Sequence, residues 1–557
     1  MTKKTLLLIL SLTLIMQSFF GSLAVSAAET KLNYNLSELN ASVSGFLGTT
    51  EDGRYVVDDV LVFNFPDMKN KQFNKFVINY TASDIVRGTI TYKTTGNSTI
   101  TEEFFLESGD KTDFSSLLDE TKVIDGKNTG NIIGIKPLQL TFEPIRENKK
   151  IAFNLHSMNT EMGHRPVNDT MYIENDRFKV GVYMAWGGGI NYIEDKADND
   201  DTVTNMLNSR DTGRLVQQSY YGTTKKPYEC AKYGNTIWGY NPVQGGDQYN
   251  NKSKLIDFKV TEDTIFIKCR PLDWAKNNVP TYVYMENTYS LKEDYIEVDN
   301  RYIDFSTYDH SKNSRHQELP AFYTISYLDT FTFYNGTKPW TNDSLTSKND
   351  LPFWGDAKNQ KKCYFNLDKT NTETWCAWNS SETGYGIGLY TPQIELFLAG
   401  RYEFNSSKEA NALATNYVAP LITTTMKNFV PFEYSYIITT GDVNSIRNTF
   451  TAHKDEFNWK DKNNQAGHTP VSDSFEFTPA AESDRVPQLE INDEKDVELT
   501  ATPAGTSENG STNFLTILIV LGIGAVIVAS LVIFIVVSSL NKIRKLESMD
   551  NQNDDAS

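Results

Sequence analysis

The chain has 557 residues, 39% hydrophobic and 12% aromatic, which excludes a wholly disordered polymer and leaves room for more than one domain. Its 53 Lys and Arg against 71 Asp and Glu give a formal charge of −18, which opposes docking on phosphate polyanions, so no nucleic-acid partner is expected. With 29 Tyr, 31 Phe and 8 Trp but only 6 His, the chain favours strands and holds few histidines for metal or acid–base chemistry.

Residues 1–28 have the three parts of a secretory signal peptide: Lys3 and Lys4, an apolar run over 6–16, and the small residues Val25, Ser26, Ala27 and Ala28. Residues 29–160 alternate short β-rich runs with turn residues, at 55–65, 75–80, 88–93, 99–106, 132–142 and 150–155. Lys93-Thr-Thr-Gly-Asn97 separates two of them as a hairpin loop does, and the set predicts one antiparallel β-sandwich. Residues 169–459 are again strand-rich, at 171–184, 256–269, 282–291, 296–303, 322–333, 386–390 and 432–440, with longer polar turns. Few amphipathic helices interrupt them, which excludes a doubly wound or TIM-type enzyme. One helix is predicted over 443–457, capped by Asp442, with Val443, Ile446 and Phe450 on one face.

From 460 to 513 the aromatics give way to Pro, Ser, Glu and Asp, the composition of an acidic stalk. Residues 514–540 carry no charge over 27 positions, about 40 Å as a helix against a hydrocarbon core of about 30 Å. Lys542, Arg544 and Lys545 follow at once, so the positive-inside bias puts the 541–557 tail in the cytoplasm. The whole is predicted to be a single-pass type I protein of the plasma membrane with an extracellular ectodomain. Outside the cell disulfides persist. The four cysteines allow three pairings, of which Cys230–Cys269 and Cys363–Cys376 are favoured because both close local loops. Asn-x-Ser/Thr sequons run from Asn35 to Asn509 and are compatible with a glycoprotein.

Polar motifs of the second block carry the functional signal. Asn208-Ser-Arg-Asp211-Thr-Gly-Arg214-Leu-Val-Gln217-Gln218-Ser-Tyr220-Tyr221 concentrates amide and guanidinium forks, a carboxylate and two aromatics. Ile237-Trp238-Gly-Tyr-Asn241-Pro-Val-Gln-Gly-Gly246-Asp247 repeats that mixture, and Ser314-Arg315-His316-Gln317-Glu318 sets a cation, an imidazole, an amide and a carboxylate before a strand. Sugars need such a mixture, since forks satisfy vicinal hydroxyls and aromatic faces take ring C–H groups. The same groups also satisfy one another when buried under loops. Arg214, Gln218, Tyr220, Tyr221, Trp238, Asn241, Arg315 and Gln317 are the candidate ligand-binding residues. If the protein is an enzyme, Glu318, Asp247 and Asp211 are the candidate catalytic carboxylates of a glycoside hydrolase. A polysaccharide lyase would instead use Tyr220, Tyr221 or His316 as base, with Arg214 or Arg315 neutralising a substrate carboxylate.

Weaker features complete the reading. No metal or cofactor is expected: the cysteine spacings are not those of a zinc site, and Asp195-Lys-Ala-Asp198-Asn-Asp200-Asp201, which offers oxygens to calcium, lacks the glycine and distal glutamate of an EF-hand. His156 and His164 read as structural, and Trp375 and Trp378 as core. Lys225, Lys226 and Lys232 lie near Cys230 while Lys358, Lys361 and Lys362 precede Cys363. Were those loops to meet, they would form a positive patch able to hold a sulfated glycan.

The run from Met171 to about Tyr436, with Trp186-Gly-Gly-Gly-Ile, 208–221, 238–247, Glu318-Leu-Pro-Ala and Thr374-Trp-Cys-Ala-Trp, resembles bacterial secreted proteins of the galactose-mutarotase-like β-supersandwich class. That class includes sugar epimerases, polysaccharide lyases and glycoside hydrolase modules, and the resemblance implies a carbohydrate cleft on a large antiparallel β-supersandwich. The 29–160 block resembles the jelly-roll accessory modules of carbohydrate-active proteins. The chain departs from the epimerases in lacking their Asn-His and later His-plus-carboxylate pattern. The expectation is therefore an all-β, surface-anchored glycan-binding protein mediating adhesion to host or environmental carbohydrate, its partner an extracellular glycan or glycosaminoglycan. A surface carbohydrate-active enzyme and a structural surface protein without ligand are the alternatives.

Overall fold

Alternating burial runs through the chain: Lys75–Ala82 alternates half-buried and buried positions without a break, the period-two pattern of a strand with one face on a core. The computed structural model describes residues 32–35, 41–66, 70–119, 123–124, 127–128, 132–163, 169–197, 203–208, 215–353, 355–356, 358–367, 372–402, 408–410, 412, 414–457 and 474–491. By its contacts the chain divides into 1–491 and 492–557. The signal peptide expected over 1–28, the membrane span expected over 514–540 and the tail expected over 541–557 lie outside the described residues, as do His164 and Asp198 to Asp201. Among the described residues, no helix is long and apolar enough to cross a membrane.

The described chain is all-β, with its sheets paired antiparallel. In the first block, one sheet has the order Thr478–Pro479, Gly48–Thr49, Tyr55–Val57, Ile151–Glu161, Lys75–Ala82, Gly109–Leu117, with Leu32–Asn35 also paired to Ile151–Glu161. The facing sheet runs Ser42–Ser44, Leu61–Asn64, Gly134–Pro144, Val86–Thr94, Thr99–Leu106. Phe63, Phe104, Phe142 and Phe153 fill the space between them. The second block has two large sheets. A nine-stranded one runs Lys254–Val260, Thr264–Arg270, Val283–Leu291, Ile296–Asp304, Phe432–Asp442, Tyr385–Tyr390, Trp375–Asn379, Thr330–Phe333, Thr346–Asn349. A seven-stranded one runs Leu272–Asp273, Pro242–Val243, Gln217–Ser219, Arg315–Ile325, Thr415–Thr424, Leu396–Tyr402, Tyr364–Asn366. Val283, Val298, Phe322, Phe397 and Val418 belong to the single core that joins these sheets.

The two blocks share apolar packing. Phe105 of the first stacks on Phe305 of the second at 5.2 Å, and Phe114 on Tyr284 at 6.2 Å. Ile256, Tyr284, Ile303 and Phe305 are part of the sandwich's own core. Ion pairs flank this contact: Arg270 with Glu103 at 2.6 Å, Arg301 with Glu107 at 2.5 Å, and Lys75 with Asp257 at 3.0 Å.

Local differences from the sequence reading have local causes. The runs 55–65, 171–184, 256–269 and 322–333 each resolve into two strands, broken at polar turns such as Asn175, where Oδ1 accepts from the amides of Arg177 and Phe178 at 2.9 and 2.7 Å. Gly109–Leu117 escapes notice because its nine residues, GDKTDFSSL, show no apolar alternation, yet it pairs along Lys75–Ala82. The predicted helix is present as Val443–His453, with Asp442 accepting from the amides of Asn444 and Ser445. Residues 474–491, read as part of the stalk, instead lie along the first block. Thr478–Pro479 pairs with Gly48–Thr49, the Gly45 amide donates to Asp484 O at 2.7 Å, and Gln488 O accepts from Asn64 Nδ2 at 3.0 Å.

The favoured disulfides are absent, and all four cysteines are free thiols. Cys269 and Cys376 are buried in the core between the large sheets, Cys363 is buried in a small cluster with Leu396, Leu398 and Leu421, and Cys230 is exposed. Each favoured pair is thus split between different environments, and the buried three pack as small hydrophobes. Trp375 and Trp378, 0% and 1% exposed, are core residues.

Candidate functional site

The strand Arg315–Ile325 carries the centre of the site. Period-two alternation places His316 and Glu318 on one face and buries Gln317 on the other. Just past Glu318 the register slips: Glu318 faces Leu421 but Phe322 faces Val418, so this strand holds one extra residue, a bulge that re-aims nearby side chains. Leu398, Leu421 and Tyr417 lie in the cluster separate from the inter-sheet core, so this face of the seven-stranded sheet is turned away from the nine-stranded one.

A cleft of about 360 Å³ opens here, lined among others by Tyr221, Trp238, Arg315, His316, Glu318 and Tyr364. Glu318 is 8% exposed. Its Oε1 accepts hydrogen bonds from Tyr417 Oη at 2.5 Å and Tyr221 Oη at 3.1 Å. Among the described residues no basic side chain pairs with it. Burial therefore pushes the carboxyl above a carboxylate's ordinary value, and hydrogen bonds from Tyr417, Tyr221 and Ser219 offset this only in part. Burial, reinforced by the Glu318 charge, holds the Tyr221 and Tyr417 phenols well above the ordinary tyrosine value, so both remain O–H donors.

The walls are aromatic and cationic. Tyr221 and Trp238 have ring centroids 6.5 Å apart, and Trp238 continues to Trp274 at 4.5 Å. Trp238 ends the exposed hairpin of Ala231–Tyr233 and Thr236–Trp238. On the opposite side His316 packs against the Tyr364 ring at 5.8 Å, with its Nδ1 3.2 Å from Thr423 Oγ1. Arg315 is exposed.

Of the residues expected from the sequence, Tyr221, Trp238, Arg315 and Glu318 thus meet in one hollow. Four others lie beneath it and hold it in shape. Gln317 clamps the Tyr221 backbone from both sides, its Oε1 accepting from Tyr221 N at 2.8 Å and its Nε2 donating to Tyr221 O at 3.0 Å. Asn241 Nδ2 donates to Tyr220 O at 2.8 Å, Tyr220 Oη to Gln218 Oε1 at 2.7 Å, and Gln218 Nε2 to Glu286 O at 2.9 Å. Tyr220 and Gln218 are both 0% exposed, which keeps them from a ligand. Asp247 is elsewhere, closing its own turn by accepting from the amides of Tyr249, Asn251 and Asn278. Asp211 and Arg214 lie outside the described residues. Sequence reasoning missed Tyr364 and Tyr417, which sit on distant strands and reach Glu318 only through sheet pairing.

A larger hollow of about 780 Å³ lies between the blocks, where five charged lining residues pair with one another: Lys254 with Glu102 and Asp119 at 2.6 and 2.8 Å, and Arg270 with Glu103. Behind the cleft, His310 and Asp304, 1% and 0% exposed, form a closed pair at 2.9 Å. The Thr223 amide donates to His310 Nδ1 at 3.0 Å, so the ring proton sits on Nε2 and points to Asp304. This pair braces the cleft wall at Gly222 and Thr224 and does not reach into it.

No family model matches the chain, and no curated protein matches it. Solved structures similar to it include one titled a putative aldose 1-epimerase from Escherichia coli K12, at 10% identity and a TM-score of 0.30, covering 49% of this chain and 98% of that one. A galactose mutarotase-like protein from Lactobacillus casei ATCC 334 is similar at 14% identity and a TM-score of 0.30, over 49% and 99% of the two chains. A galactose mutarotase related enzyme from Lactobacillus acidophilus gives 14%, 0.30, 49% and 97%. The two Lactobacillus structures bear the name of the group that the sequence resembles.

Proposed function

We propose that the protein is a membrane-anchored, cell-surface glycan-binding protein and that the Tyr221–Trp238–Glu318 cleft is its carbohydrate site. The observation that carries this reading is the convergence of two partly exposed aromatic rings, an exposed guanidinium and a buried carboxyl in one open hollow. Aromatic faces take the C–H surfaces of a sugar ring, while Arg315, His316 and Glu318 hydrogen-bond its hydroxyls. The signal-like 1–28 segment and the uncharged 514–540 run support display outside the cell, where adhesion to host or environmental carbohydrate is the role such a site serves.

Binding is favoured over hydrolysis because Glu318 is the only carboxylate among the described lining residues, whereas glycoside cleavage uses two across the bond. It is favoured over elimination by tyrosine because Tyr221 donates a hydrogen bond to Glu318 and is held far from the phenolate. The test is a glycan array with the full-length chain beside Trp238→Ala, run with a product assay on each bound glycan. Binding lost in Trp238→Ala without turnover supports the proposal. Release of reducing ends or unsaturated uronates, abolished by Glu318→Gln, makes it an enzyme, and silence in both assays makes it a structural surface protein.

A further inference from the structure

The protein as a whole is strongly acidic, yet the loops bordering the cleft are basic. Thr224, which lines the cleft, is followed directly by Lys225 and Lys226, and Tyr364, which lines the facing wall, is preceded by Lys361 and Lys362. Lys232 lies on the hairpin strand that pairs with the strand of Trp238. Arg315 lines the cleft itself. All six side chains are exposed, and none is ion-paired with an acidic residue among the described residues. The acids near these segments are Glu229 between Lys226 and Lys232, Asp309 within reach of the Lys225 charge, Asp356 in the turn before Lys361, Glu395 on the Thr423 amide, and Glu318 in the cleft itself.

The segment with Lys225 and Lys226 and the short helix Gln360–Cys363 with Lys361 and Lys362, more than 130 residues apart, therefore each run within three residues of a side chain that lines one hollow in a chain of charge −18. Unpaired cations clustered at a concave site raise the local concentration of an anion and lower that of a neutral competitor only by default. We propose that the ligand of this cleft is an anionic glycan chain, its sulfate esters or uronate carboxylates held by Arg315 and the flanking lysines while Trp238 and Tyr221 take the sugar faces. This rests on the cleft being the carbohydrate site, and adds that the sugar is charged. Arg315 suits a planar carboxylate or a sulfate through its fixed fork, and the lysines act as point charges along the chain.

The experiment measures binding of the full-length protein to heparin, which carries sulfate and carboxylate, to hyaluronan, which carries carboxylate alone, and to dextran, which is neutral. The protein is compared with Lys225→Ala/Lys232→Ala/Lys361→Ala/Lys362→Ala and with Trp238→Ala. These four lysines are exposed, so unchanged thermal unfolding of the fourfold variant checks its fold. The expected result is binding to an anionic chain over dextran, weakened at least about tenfold in the fourfold variant and weakened again by raised salt. Heparin alone binding assigns the contact to sulfate, and hyaluronan binding as well assigns it to carboxylate. Dextran bound as tightly as heparin, with the fourfold variant unaffected, overturns the anionic inference and leaves the carbohydrate cleft standing. Heparin bound equally by Trp238→Ala overturns the inference by putting the charges to work outside the cleft. Binding to none of the three, together with a silent glycan array, overturns both.

Discussion

Phe142→Ala tests whether the two β-blocks are one cooperative unit. Phe142 is 0% exposed in the first sandwich, with ring neighbours Phe153 at 4.3 Å, Phe63 at 5.8 Å and Phe104 at 6.2 Å, all within the same block. Its truncation removes a buried ring and leaves a cavity that two packed sheets cannot close, which costs about 3–5 kcal/mol. That is a large part of an ordinary net stability of about 5–15 kcal/mol. The probe is built into the sequence: all 8 Trp lie at or beyond Trp186, so tryptophan fluorescence sees nothing of the first block directly. Because Phe105 stacks on Phe305 and the sandwich core includes Ile256 and Ile303, the loss is expected to appear undiminished at the tryptophans. In guanidinium titrations the fluorescence midpoint of Phe142→Ala should fall in step with the far-UV circular dichroism midpoint. A fluorescence transition unmoved by the substitution, with a separate earlier transition in circular dichroism, would show that the blocks unfold independently and refute the shared-core argument.

Three further outcomes are expected. Burial raises the Glu318 carboxyl in the native state, so the fold binds that proton more tightly than the unfolded chain, and stability declines as pH rises from the ordinary carboxyl value through the raised one. Glu318→Gln removes that slope, so its thermal midpoint should match or exceed that of the unaltered protein at neutral pH, with the advantage shrinking on acidification; a variant less stable at neutral pH refutes the account. Arg447→Met strands Glu373, 0% exposed and bonded to Arg447 through both oxygens at 2.5 and 3.0 Å, and should lower unfolding free energy by about 3–5 kcal/mol in denaturant titration. Finally, a thiol reagent should modify Cys230 quickly in the native protein and the other three only after denaturation, since burial pushes the Cys363 thiol up to about 11 and those of Cys269 and Cys376 up as well. Fewer than four thiols in the denatured, unreduced chain would restore a disulfide.

The strands that alternate cleanly were legible, Lys75–Ala82 and Thr99–Leu106 among them, because one face of each meets a core and the sequence must say so. Gly109–Leu117 was not, because its partner strand and not its own pattern holds it in place. The segment 474–491 was read as stalk for the same reason. It attaches largely through backbone groups, such as Ala480 N to Leu47 O at 2.9 Å, and backbone hydrogen bonds leave no trace in composition.

In the site, a dense polar-aromatic motif turned out to be two layers. Gln218, Tyr220, Asn241 and Gln317 are spent on one another and on backbone, while Tyr221, Trp238, Arg315 and Glu318 face the hollow above them. No residue type separates the layers, since a sugar and a buried backbone ask for the same forks and hydroxyls. Along the Arg315–Ile325 strand it is alternation that separates Gln317 from His316 and Glu318, a property of pairing with Thr415–Thr424. The lower layer also explains why Glu318 can stay buried without a cation. Gln317 fixes the Tyr221 backbone at both N and O, which aims the Tyr221 hydroxyl at Glu318, and Tyr417 arrives from the paired strand to complete the carboxyl's donors. Because neutral hydroxyls and not Arg315 satisfy the Glu318 carboxyl, the exposed Arg315 guanidinium is not spent on it. The same arrangement that shelters Glu318 thereby leaves Arg315 available to an anion.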